Sequence, residues 1–262
     1  MLFDDLQREL LGMPILASKH GADVDHLIYY LHWLMGVLFV GWFAYFVYCV
    51  IRFRQSRSPK ASYHGVTSHL SSYLEVGVAV IEGILLLGFA VPLWAKSVNA
   101  EHFPDAKTAT VVRITGQQFF WTAWYPGPDG VFGSNRIDLV SAQNPLGLDL
   151  NDPAGKDDVI TEKRPVTVPV NKPVILRISS KDVIHCFKVP PLRVTQDAIP
   201  GMTIPLHFKP TQTNTFQIQC AQLCGNGHYS MKELFKIVSD EEYAAFLKAN
   251  GGGAAKGGGG FE

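Results

Sequence analysis

From Leu27 to Ile51 the chain reads LIYYLHWLMGVLFVGWFAYFVYCVI, without one Asp, Glu, Lys or Arg. As a helix this run measures about 37 Å, more than the roughly 30 Å hydrocarbon core of a bilayer. Burying a cylinder of that length on all sides is hard for a soluble domain, so the run predicts a membrane span and not a core helix. Tyr29, Tyr30 and Trp33 near one end suit an interfacial aromatic belt. Cys49, inside the run, reads as a small hydrophobe.

A second apolar run extends from about Leu74 to Ala95 and contains Glu75, Glu82 and, near its end, Pro92. Ionisable groups within a span face protein or water, because each costs about 2.5–3.5 kcal/mol at mid-bilayer. Pairing with a neighbouring subunit is the expectation for Glu82. The segment joining the runs carries Arg52, Arg54, Arg57 and Lys60 and no acid, whereas Asp4, Asp5, Glu9, Asp23 and Asp25 outnumber Arg8 and Lys19 before the first run. Cytoplasmic loops are enriched in Lys and Arg, so the short loop is expected inside and both ends outside. Residues 1–20 lack a basic start and a convincing apolar core, which predicts no cleavable signal peptide.

From Thr108 onward the periodicity changes. TATVVRIT, QQFFWTAW, PVTVPV, PVILRISS, VIHCFKV, TIPLHFK and TNTFQIQC are short, rich in β-branched and aromatic residues, and separated by Pro, Gly, Asn or Asp. Such a series predicts an all-β sandwich or barrel. Between Pro126 and about Asp158 lies an irregular insertion of the kind that often faces a partner; Asp149, Asp152, Asp157 and Asp158 read there as solvated loop acids. A short helix is expected over Asp240–Asn250 and a flexible Gly-rich tail over 251–262. The predicted organisation is an extracytoplasmic segment over 1–25, a transmembrane hairpin over 26–98 with spans at about 27–51 and 74–95, and a β-domain over 99–250. A formal net charge of +0 gives no reason to expect a nucleic-acid partner.

The chemistry concentrates in Cys220-Ala-Gln-Leu-Cys224-Gly-Asn-Gly-His228-Tyr-Ser-Met231. Two thiols, an imidazole and a thioether in one loop select copper or zinc over magnesium or calcium. The thioether favours copper, since zinc usually takes four Cys or His ligands. A blue-copper site uses one Cys, whereas two in one loop suggest two metals sharing bridging sulfurs. A second imidazole must come from elsewhere, and His185 ends a strand-like run upstream. The competing chemistry is a disulfide between Cys220 and Cys224, stable outside the cytoplasm. His207, with no motif around it, reads as structural, and Cys186 should point away from His185 along a strand.

The loop resembles the C-x-E-x-C-G-x-x-H-x-x-M motif of cytochrome c oxidase subunit II, and DVIHCFKVPPLRVTQDAIPGM resembles that family's second ligand segment. The resemblance covers most of the chain and implies a two-helix transmembrane hairpin followed by a cupredoxin-like sandwich, in a bacterial form without fused cytochrome c, since C-x-x-C-H is absent. It implies a binuclear copper (CuA) centre bridged by Cys220 and Cys224, with His185 and His228 each ligating one ion, Met231 as a weak ligand and Gln222 donating its backbone carbonyl. The family usually has Glu at that position, serving a magnesium site shared with subunit I; a neutral amide is a poorer ligand for a hard cation, so that role does not carry over. Phe119 stands where the family places the Trp that receives electrons, with Trp121 nearby. Glu75 resembles the second-helix Glu at the mouth of a proton channel. The implied partners are subunit I with its haem and copper, subunit III, and a c-type cytochrome or cytochrome-bearing complex as donor. The implied activity is relay of electrons to subunit I for oxygen reduction coupled to proton pumping. The implied location is the inner membrane, multi-pass, with the copper domain periplasmic.

Three rivals predict different site chemistry. A quinol-oxidase type of subunit keeps the fold and lacks the metal; a membrane-anchored copper store holds one exchangeable ion; an assembly factor joins its paired cysteines in a disulfide.

Overall fold

The computed structural model describes residues 8–61, 63–65, 67–141 and 144–251. The Gly-rich tail from 252 lies outside the described residues, as do residues 1–7. Two units separate along the chain, one over Asp23–Lys96 and the other formed by the segments on either side of it.

The first unit is the helical hairpin. Helix α1 runs Gly21–Arg52, with Asp23 in its first turn and Arg52 in its last, both favourable to the helix dipole. Helix α2 runs Leu70–Val98. It contains one wide turn at Leu85–Ala90, where the Val91 N–H reaches back five residues to Leu86 O. Pro92 follows at once and has no N–H to give to the preceding turn, so the ladder shifts there. Both helices present apolar side chains all round: Phe39 is 69% and Leu87 70% exposed. That distribution suits lipid and not water. Lys96 Nζ lies 3.4 Å from Asp23 Oδ2, holding the start of α1 beside the end of α2.

The second unit is a β-sandwich. Its strands are β1 (Thr110–Gln117), β2 (Phe120–Tyr125), β3 (Val159–Glu162), β4 (Val166–Pro169), β5 (Val174–Ser180), β6 (His185–Val189), β7 (Val194–Ala198), β8 (Ile204–Phe208), β9 (Asn214–Cys220) and β10 (Lys232–Val238). They form two sheets, ordered β3-β2-β1-β5-β8 and β4-β10-β9-β6-β7. Alternation along β1 turns Val112 and Ile114 inward and leaves Arg113 and Thr115 on the outer face. The buried core joins Ile114, Leu176 and Ile178 of the first sheet to Phe187, Ile218 and Phe235 of the second. Phe187 meets Trp121 edge-on at 5.4 Å, and burying a side chain of that size contributes about 1.5–3 kcal/mol. Helix α3 (Asp240–Asn250) starts on a capping box between Ser239 and Glu242 and packs Phe246 against Tyr125, 5.3 Å between ring centres.

Three details depart from the sequence expectations. QQFFWTAW is not one strand: Gln118 and Phe119 make the hairpin turn between β1 and β2. The stretch before α1 is joined to the sandwich, with Ala17 N–H donating to Pro191 O and Lys19 N–H to Lys209 O. Asp158 is not a solvated loop acid. It is 2% exposed and its Oδ2 accepts from Trp124 Nε1 and from Gly133 N–H, stapling the insertion to the sheet.

Candidate metal centre

The pairing of β6 with β9 sets Phe187 opposite Cys220, the last residue of β9, so His185, two residues before Phe187, lies just past that end of the pair. His185 and Cys220 therefore meet at one end of the sandwich. The chain then leaves as a loop and returns in β10. Ala221 N–H donates to Cys186 O at 2.9 Å and Cys220 N–H to Met231 O at 3.2 Å, which pins both ends of that loop.

Inside it the side chains converge. Cys220 Sγ and Cys224 Sγ are 3.8 Å apart, and all four cysteines are free thiols. A disulfide would bring sulfurs to about 2.05 Å. His185 Nδ1 lies 3.9 Å from Cys220 Sγ on one side, and His228 Nδ1 lies 3.5 Å from Cys224 Sγ on the other. Met231 Sδ is 3.7 Å from Cys224 Sγ, and the Gln222 carbonyl oxygen is 3.2 Å from Cys220 Sγ. The ligand atoms of His185, Cys220 and Cys224 all lie within 4.8 Å of one another. Soft sulfur with imidazole fits copper or zinc, and the thioether beside two unpaired thiols fits copper best.

The surroundings fix this arrangement. His185 is fully buried, and its Nε2 lies 2.8 Å from Asp182 Oδ1. With its proton on Nε2, the ring turns the Nδ1 lone pair toward the sulfurs. Burial works to raise the Asp182 carboxyl, but the Gln118 N–H, His185 and the Val183 N–H outweigh it and hold that carboxyl below its ordinary range. Gln118 reaches further, its Nε2 donating to Cys224 O at 2.7 Å. Burial, and then Cys220 beside it, push the Cys224 thiol up to about 11.

Backbone sterics leave no slack. A Cβ on Gly116 would lie 3.1 Å from the His185 ring and 3.0 Å from Trp121. A Cβ on Gly227 would come within 2.4 Å of the Phe119 ring, so the loop rests on that side chain. Trp121 stands edge-on to His185 at 5.9 Å and is fully buried; Phe119 is half-buried.

Leu223 and Tyr229, on the same loop, are 75% and 88% exposed, which gives the centre an apolar outer rim. Cys186 faces the other way, in register with Asp197, and burial pushes its thiol up to about 12. His207 packs on Phe103 at 4.4 Å, remote from the cluster. Glu75 and Glu82 lie on α2 in the helical unit.

Sequence reasoning missed the supporting pair Asp182 and Gln118. Asp182 carried a signal, three residues before His185 in a tight bend. Gln118 carried none, because its role arises only from the turn between β1 and β2.

Residues 110–238 match the family described as cytochrome C oxidase subunit II, periplasmic domain. The alternative cytochrome c oxidase subunit 2 of Bradyrhizobium diazoefficiens is 34% identical over 226 residues, covering 86% of this chain and 79% of that protein. Cytochrome c oxidase subunit 2 of Cereibacter sphaeroides is 30% identical over 244 residues, covering 85% of this chain and 77% of its own. Among solved structures, the periplasmic domain of subunit II of cytochrome oxidase from Bradyrhizobium japonicum is 30% identical and covers 54% of this chain and 92% of that one, with a TM-score of 0.40. Two long apolar helices ahead of a domain of a periplasmic family describe a membrane protein whose copper-type domain lies outside the cytoplasm. On the extent and identity of these matches, the chain belongs to the cytochrome c oxidase subunit II family, in its bacterial type.

Proposed function

We propose that this chain is the electron-accepting subunit of a respiratory oxidase, holding two copper ions that, when bound, supply a one-electron couple between a c-type cytochrome donor and the haem of subunit I. Cys220, Cys224, His185 and His228 would hold the two ions, with Met231 as a weaker ligand and Gln222 offering its backbone carbonyl oxygen. One observation carries this reading: two unbonded thiols 3.8 Å apart, flanked on opposite sides by an imidazole Nδ1. A mononuclear site can also take two imidazoles, but here each imidazole lies beside a different sulfur, an arrangement that suits two ions sharing the thiol pair.

The remaining residues keep the ligands still. Asp182 fixes the ring of His185, Gln118 ties the Cys224 backbone to the β1–β2 turn, and Phe119 supports Gly227. Ligands held by strands and packed aromatics move little when the charge on the centre changes, which favours rapid electron transfer. Phe119, at the half-exposed edge beside the loop, is the electron-input residue, and Leu223 and Tyr229 extend that face toward the donor. Trp121, fully buried behind His185, lies on the inner side.

In the membrane, α1 and α2 cross the inner membrane with their connection in the cytoplasm. Glu75, near the start of α2, takes up protons on that side. Oxygen reduction and proton pumping belong to subunit I, with subunit III in the same assembly. The domain boundaries follow: hairpin over 26–98 and copper domain over 99–250.

The test is copper loading of the full chain in detergent. Two coppers per chain, a purple colour, and a paramagnetic resonance spectrum of one electron shared over two equivalent nuclei support the assignment. One exchangeable copper, or a Cys220–Cys224 disulfide resistant to loading, overturns it. Cys224→Ser should abolish the shared spectrum while leaving the β-fold intact.

A further inference from the structure

The outer face of the first sheet holds a second concentration of polar chemistry, away from the sulfur cluster. Strands β1 and β5 run parallel with Arg113 directly opposite Arg177 and Thr115 opposite Ser179. All four side chains point away from the core. Like charges facing each other across neighbouring strands repel, and Lys181 follows at the end of β5. Among the described residues, no carboxylate lies within ion-pair distance of Arg113, Arg177 or Lys181. Both arginines are half-buried, so water only partly screens their repulsion.

Arg113 is held firmly in this position. Its guanidinium lies 4.5 Å from the Trp124 ring centre and 4.4 Å from that of Phe132, which the insertion brings over the sheet. A guanidinium stacked on rings keeps its in-plane N–H groups available to an acceptor. Burial, followed by Arg177, lowers the Arg113 pKa from its ordinary value, and the charge of Asp158 only partly opposes that shift. Asn135, Pro145 and Leu146 of the insertion also border the space above the strands. The result is a cleft of about 420 Å³ lined by Arg113, Thr115, Arg177, Ser179, Lys181 and, from the insertion, Asn135. That volume is in the range of small-molecule sites, and its lining converges three cations with hydroxyl and amide donors.

We propose that this cleft binds a small oxyanion, a phosphate- or carboxylate-bearing metabolite. Arg177 and Lys181 supply the opposing charge, Arg113 an oriented N–H edge, and Thr115 and Ser179 neutral hydrogen bonds. The bound anion removes the repulsion between the paired arginines, so occupancy stabilises the sandwich.

The experiment is a thermal-unfolding titration of the full chain in detergent with inorganic phosphate or citrate at constant ionic strength, with chloride as the control. A saturable rise in the sandwich's Tm with phosphate or citrate, absent with chloride, is expected. Arg177→Gln should remove that rise, and without anion its Tm should equal or exceed that of the wild type, because the repulsion is gone. Lys181→Gln, at an exposed position, should weaken the apparent affinity about tenfold, as loss of a charge-assisted hydrogen bond does. A response to phosphate alone assigns a phosphate ligand, and a response to citrate alone a carboxylate; each supports the site. The proposal fails if the wild type shows no saturable response, or if the response survives in Arg177→Gln. Should Arg177→Gln not fold, an unchanged affinity in Lys181→Gln overturns it equally.

Discussion

Asp182 Oδ1 sits 2.8 Å from Nε2 of His185, on the side of the ring opposite the sulfurs. The carboxylate thus decides which nitrogen of a fully buried imidazole faces Cys220. Its other contacts, from the Gln118 and Val183 N–H groups at 2.7 Å, keep it from rotating. Losing such an orienting partner typically costs about 10–100-fold in metal affinity. Asp182→Ala should therefore weaken copper retention by that factor in a chelator competition on the full chain. An unchanged affinity would mean that the packing of Trp121 and Gly116 alone positions the ring.

Gly116 makes the second demand on His185. It pairs with Trp121 across the hairpin, and any Cβ would press on both rings at about the same distance. Neither ring has room to retreat, since Trp121 also abuts Phe187. Gly116→Ala should destabilise the sandwich by about 1–3 kcal/mol, the usual cost of overpacking, measured by denaturant unfolding. It should also alter the spectrum of the copper-loaded chain, which a purely distant core defect would leave alone.

How much of this was legible beforehand follows from where each signal resides. The spans announce themselves because a lipid-facing helix needs no tertiary partner to explain its composition. The segment before α1 gave no such sign: Ala17 and Lys19 join the sandwich through backbone groups, which every sequence offers equally. The hairpin turn at Gln118 and Phe119 hid within an aromatic run lacking Gly, Pro, Asn or Asp, so the usual punctuation was missing. Strand β7 was obscured by the prolines on either side of Val194–Ala198. In the candidate centre, the sulfurs and His228 share one loop and spacing alone groups them. Their approach to His185 depends on β6 lying beside β9, a pairing that local periodicity does not encode.

Tyr125 ties the two sheets by a hydrogen bond as well as by packing. Its hydroxyl accepts the Thr167 N–H at 2.8 Å, and both residues are buried. Burial drives its ionisation well above the ordinary tyrosine range, so it stays neutral in the folded chain even in mild alkali. Tyr125→Phe keeps the ring contact with Phe246 but strands the amide, at a cost of about 1–3 kcal/mol. Urea unfolding of the variant checks this; no loss of stability would show that Thr167 finds another acceptor.

Asp158 gives the sandwich a pH dependence opposite to that of a salt-bridged acid. Burial raises its pKa against the opposing hydrogen bonds from the Gly133 N–H, Trp124 Nε1 and the Gly127 N–H. Its Oδ1 is buried with no partner among the described residues. Because the folded pKa lies above the unfolded value of about 3.9, the native state binds the proton more tightly, and this group's contribution is fully present below that value. It is lost as pH rises through the window up to the folded pKa, and is constant beyond it. Asp158→Asn keeps an oxygen for Trp124 Nε1 and the Gly133 N–H but cannot ionise. The stability of the variant relative to the wild type should therefore climb across that window and then level off, read from urea midpoints over a series of acidic to neutral buffers. Parallel profiles would mean that Asp158 is charged throughout, with the nearby Arg113 guanidinium offsetting the cost of its burial.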